Sequence, residues 1–167
     1  IDIMYEWLVY IHVLATFAFL LTHGVSSVVS LRLRRQRDPA VARAWLELNA
    51  SGSVIAVLYG SLLILLISGV INGFMGKWWG QWWIWVSLIL LILIIVAMGL
   101  IGSRHYSKIR KALGMPYFDG RKGHPAEPPA PDEEIVVLLA NSPAITLTVI
   151  GFGGIAVILW LMMFKPF

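Results

Sequence analysis

The 167-residue sequence contains no cysteine. Disulfide bridges, thiolate-ligated iron–sulfur clusters and cysteine-bound zinc are thereby excluded. Charge is scarce as well. Asp, Glu, Lys and Arg make up 13% of the chain, about half the roughly 25% of an average soluble protein. Hydrophobic residues reach 59%. A water-soluble fold of this size would lack the polar surface to cover itself, and that shortage disappears when lipid is the solvent.

Charge is missing altogether from four apolar runs. They extend from about Trp7 to Leu31, Val54 to Ile71, Trp82 to Ser103 and Pro143 to Phe164, and none holds an Asp, Glu, Lys or Arg. Each is close to the roughly 20 residues that a helix needs to cross a bilayer. The sequence predicts an all-α, single-domain integral membrane four-helix bundle. With no carboxylate inside the spans, neither a Ser–His–Asp set nor the buried acids of ion-coupled transport can be assembled.

Thirteen basic residues give a net charge of +4, and their placement argues for orientation rather than nucleic-acid binding. Arg32, Arg34, Arg35, Arg37 and Arg43 follow the first span. Arg104, Lys108, Arg110, Lys111, Arg121 and Lys122 follow the third, leaving Lys77 and Lys165 on the other side. Lys and Arg resist translocation. The expectation is an up-down-up-down, multi-pass protein of the bacterial cytoplasmic (inner) membrane, with both termini on the non-cytoplasmic side. Its expected partners are the bilayer and other membrane subunits or further copies of itself.

Five of the eight tryptophans (Trp78, Trp79, Trp82, Trp83, Trp85) crowd the non-cytoplasmic hairpin. Indole rings favour the headgroup layer, so these residues, with Trp7 and Trp160, are expected to form an anchoring belt. The cytoplasmic loop 104–141 is expected to start with a short basic helix at 107–113. It continues through Pro116, Pro125, Pro128, Pro129 and Pro131, which forbid regular helix. That stretch reads as a flexible strap or a docking element, with His124 exposed. Asp132, Glu133 and Glu134 suit a helix N-terminus. From Glu134 to Phe164 one helix would be roughly 46 Å long, too long for a bilayer core of about 30 Å. A short interfacial helix, a break, and a span capped by Ser142 with Pro143 in its first turn are expected. The small residues Gly60, Ser61, Gly99, Gly102, Gly151, Gly153 and Gly154 are expected at helix–helix contacts.

Histidines are the remaining chemical handles. His12 and His23 lie eleven residues apart in the first span, about three turns and roughly 16 Å along one face. Thr16, Phe19, Ser27 and Ser30 share that face. Such a polar stripe belongs inside a bundle. His105 ends the third span. Two axial imidazoles on different helices would ligate a b-type haem, His23 with His105 being one pair; in the outer half His12 faces the level of Met162. Copper is the alternative metal, since imidazole and thioether suit it. The competing assignment for each histidine is an internal hydrogen bond to Thr, Ser or a carbonyl.

The first span, from Tyr10 to Gly24, resembles the opening helix of small bacterial membrane proteins related to the copper-resistance D and b-type cytochrome bundles. His12 and Gly24 carry that resemblance. It implies a four-helix unit with an electron-transfer, haem or copper role. The later spans lack the further histidines of those cytochromes, which makes a non-catalytic accessory subunit of a respiratory or photosynthetic complex the second expectation.

Overall fold

The computed structural model describes residues 3–166. It is helical throughout its spans: α1 (Ile3–Arg35), α2 (Pro39–Asn49), α3 (Gly52–Met75), a 3₁₀ turn (Trp78–Gly80), α4 (Trp82–Ala112), α5 (Asp132–Ala140) and α6 (Ala144–Phe164). Two short strands, β1 (Tyr117–Phe118) and β2 (Gly123–His124), pair antiparallel between α4 and α5. Four stretches are long and apolar enough to cross a membrane, as a multi-pass protein requires. Only 11–17% of the residues in their apolar windows are buried, so most of their surface is left for lipid.

The spans associate as two pairs, α1 with α3 and α4 with α6, and the pairs meet along α1 and α6. α3 and α4 have almost no direct contact. The first pair is antiparallel: His12 meets Ser68, and Leu8 meets Asn72. In the second, Gly102 faces Leu147 and Gly154 lies against Ile94. Space for an added Cβ at Gly154 is already taken by the Ile94 side chain, the close approach expected of small residues in lipid. α6 has 21 residues, roughly 31 Å, which matches a bilayer core. α1 and α4, with 33 and 31 residues, run on past it and carry their basic last turns outward.

Those extensions build a cap. Val29 and Leu33 of α1, Ala42 and Leu46 of α2, Ile109 and Ala112 of α4, and Ile135 and Leu139 of α5 form one buried cluster with Leu113 and Met115. α2 starts where Asp38 accepts from the amides of Ala40 (2.8 Å) and Val41 (3.4 Å), with Pro39 in the first turn. No separate helix begins at residue 107, because α4 continues unbroken to Ala112. Apolar Ile109 and Ala112 give that last stretch a buried side, which keeps it helical.

The proline-rich segment is tied back to the helices at its far end, although most of its residues are exposed. Its chain returns to α4, where the Ala130 amide donates to the Ala112 carbonyl at 2.9 Å. In between, Asp119 closes the β1–β2 turn, accepting from the amides of Arg121 (2.8 Å) and Lys122 (2.9 Å) and from His124 Nε2 (2.8 Å). These donors, the Lys122 amide first, hold the Asp119 carboxyl well below the usual carboxylate range. His124 stacks on Tyr117 with ring centroids 4.8 Å apart, rather than standing in solvent.

The acidic start of α5 and the break at 141–143 occur as expected. The cap of α6 does not. Pro143 occupies the N-cap position, no side chain caps the helix, and the Ser142 hydroxyl is buried without a partner. With Pro143 rather than Ser142 at the N-cap, the Ser142 hydroxyl makes no bond to the first amides of α6.

Candidate functional site

The end of the bundle opposite the cap encloses a cavity of about 530 Å³ between all four spans. Its walls are mostly aliphatic, with Trp78, Trp79 and Trp83 closing the end. His12, Thr16, Asn72, Ser87, Met162 and Lys165 supply the polar and sulfur atoms. Volume and lining fall within the usual range for small-ligand sites, which are largely apolar with a few placed polar groups.

His12 is oriented by α3. Its Nδ1 lies 3.0 Å from Ser68 Oγ. Ser68 Oγ also lies 2.6 Å from the Ile64 carbonyl and 3.2 Å from that of Leu65. A hydroxyl has one proton and a carbonyl has none to give. The Ser68 proton therefore goes to a carbonyl, and His12 Nδ1–H donates to Ser68. In neutral His12 the lone pair then sits on Nε2, on a ring that borders the cavity. Gly69 makes room for this ring: an added Cβ there would lie 3.1 Å from His12 Cε1.

Asn72 stands one turn further along α3 and is buried, with 5% exposure. Its Nδ2 donates to the Leu8 carbonyl at 3.4 Å, which fixes the amide orientation because that carbonyl can only accept. Among the described residues, Asn72 Oδ1 is left buried without a partner, as is the Trp79 indole N–H. An orphaned buried polar group costs about 1–3 kcal/mol. Both residues line the cavity, but these two atoms themselves are buried in its wall.

The tryptophans divide into two groups. Trp82, Trp7, Trp160 and Trp85 are broadly exposed, as an anchoring belt requires, whereas Trp83 is 4% exposed and part of a core with Ile84 and Leu161. Lys165 Nζ sits 4.3 Å from the centre of the Trp78 ring and 5.7 Å from that of Trp83, a cation–π arrangement at the cavity.

The three candidate histidines are held by different neighbours. His23 is buried, stacked on Phe19 and tilted against Phe152. Its Nε2 has no partner among the described residues, and a Cβ added to Gly151 would lie 2.5 Å from it. That nitrogen is pressed against the α6 backbone, so no metal centre fits in front of it. His105 Nε2 lies 3.1 Å from the Leu138 carbonyl, so it carries the proton and donates. A His23–His105 haem pair does not fit this arrangement. His12 and Met162, from α1 and α6, do border the same space. Among the described residues no three His, Cys, Asp or Glu side chains gather in a metal-binding group.

Ser68, Gly69, Asn72 and Trp79 were not among the sequence-based site residues. A signal existed: Ser61, Ser68 and Asn72, all buried in α3, repeat the helical spacing of the stripe in α1. Comparison of the chain with protein-family models, curated proteins and solved structures found no match.

Proposed function

We propose that this chain is a bacterial inner-membrane protein that holds a lipophilic cofactor in the cavity at its tryptophan end, with His12 as the polar anchor. The charge bias of the loops supports an up-down-up-down course with that end, and both termini, non-cytoplasmic. One observation carries the binding reading. Ser68 commits the His12 proton to Nδ1, leaving the Nε2 lone pair free on a ring that lines an apolar cavity.

His12 and Met162 favour b-type haem as the cofactor, because imidazole nitrogen and thioether sulfur are an established axial pair. His12 would be one ligand, with Ser68 as the acceptor that orients it. Met162 would be the other, and Lys165 the counter-charge for a carboxylate. Haem would supply one-electron transfer when bound; these residues would hold it, orient it and exclude water. Copper held by His12 and Met162 draws on the same two atoms. Asn72 and Trp79, which bring an amide and an indole to the lining, favour a second reading, a quinone-type ligand whose head both donates and accepts.

The absorption spectrum of the purified protein, with mass spectrometry of its organic extract and metal analysis, tests this. Haem gives a Soret band and sharp reduced-form peaks, which His12→Ala abolishes or shifts and His23→Ala retains. A spectrum unchanged in His12→Ala rejects His12 as ligand. A colourless protein yielding a quinone supports the second reading. A protein free of ligand and metal that comigrates with a large assembly on a native gel rejects both, in favour of an accessory subunit.

A further inference from the structure

At the cap end a second, open cleft of about 340 Å³ lies between α4 and the α5–α6 break. Leu100 and Ile101 form its apolar floor, and Arg104, Lys108, Asn141 and Pro143 its rim. Arg104 and Lys108 are four residues apart on α4, so their side chains project from one helix face. Both are exposed. Neither has an ion pair or hydrogen bond among the described residues, although Arg43, Lys111 and His124 each pair with a carboxylate. The acids of α5 are at its far end, roughly 13 Å from Asn141 by helix rise.

Opposite the two cations is the first turn of α6. Among the described residues no side chain caps it, and Ser142, between the two rim residues, has a buried hydroxyl without a partner. The first amides of a helix lack intrahelical acceptors, and the dipole there favours an anion. His105 is spent as a wall, its Nε2–H given to Leu138. The cleft therefore changes from apolar to cationic within about two helical turns, at the level where the apolar span ends.

We propose that this cleft binds the phosphate of an anionic phospholipid, with Arg104 and Lys108 on the headgroup, the uncapped start of α6 facing it, and an acyl chain along Leu100 and Ile101. A basic pocket between spans at the membrane surface has the chemistry for such a headgroup. A free phosphoryl compound would share the charged rim but has no use for the apolar floor.

The test is native mass spectrometry of the full-length protein in mixed micelles containing equal amounts of phosphatidylglycerol and phosphatidylcholine with the same acyl chains. The wild type is expected to retain phosphatidylglycerol preferentially. Arg104→Gln/Lys108→Gln should weaken that preference roughly 30-fold, at about 1 kcal/mol for each basic side chain. Arg32→Gln/Arg35→Gln removes the same charge from exposed positions at the end of α1 and should preserve it. Equal retention in both double variants, or equal loss, overturns the proposal. Displacement of the bound lipid by inorganic phosphate overturns the lipid assignment in favour of a soluble phosphate ligand.

Discussion

Ser68 sets the chemistry of His12 through one committed proton, and Gly69 makes the space in which the imidazole turns. Gly151 does the reverse for His23, bringing a backbone so close that its Nε2 is shut in. Gly151→Ala should therefore destabilise the protein by about 1–3 kcal/mol through overpacking. Gly153→Ala is the control, since nothing lies within 4 Å of its added Cβ. Thermal unfolding in detergent should separate the two variants, and equal midpoints would show that the His23 ring moves aside without cost. The inward face of His12 and His23 was legible in the sequence, because a polar stripe on an apolar helix has one economical direction. Their separate fates were not. They depend on which residues of α3 and α6 lie opposite, and no spacing within α1 encodes that.

Several elements were signalled in the sequence by their ends. Asp38-Pro39 starts α2 through the cap its carboxylate makes, a sign as plain as the acidic start of α5. The sequence reading left that stretch as loop because its 11 residues fall well short of the roughly 20 that a span needs. The proline-rich segment misled in the other direction. Prolines exclude helix, yet they leave room for a two-residue ladder closed by Asp119. That turn is predicted to depend on pH. Native donors lower the Asp119 carboxyl below its ordinary value, so its stabilising contribution is complete above about pH 4, the unfolded reference. It is lost as pH falls further toward the depressed native value. The protection factor of the Lys122 amide against hydrogen exchange, taken relative to the unstructured chain at the same pH, should be high at neutral pH and fall under acid. In Asp119→Ala it should be low throughout; unchanged protection in that variant would show that the ladder holds without the carboxylate.

Across the whole molecule the tightest packing lies outside the spans. Leu139 is fully buried in the cap, whereas Leu63 in α3 is 57% exposed. Leu139→Ala should cost about 2–5 kcal/mol, as for a buried core leucine. Leu63→Ala should cost little, because a lipid-facing side chain exchanges one apolar neighbour for another. Denaturant titration in micelles measures both, and a Leu63 loss as large as that of Leu139 would place a helix partner on that face. Four hydrophobic runs disclosed the spans, but the cap was hidden because its members come from five separate segments, each contributing only two buried residues to it.

α3 and α4 approach each other far less closely than α1 and α3 or α4 and α6 do, so the seam between them, where Ile84 meets Gly73, is the part of the bundle least sealed against the acyl chains. Under the proposed reading, a guest in the upper chamber arrives from oil rather than from water. Its occupancy then follows how much of it is dissolved in the bilayer, and a compound with high aqueous concentration but poor partitioning stays out.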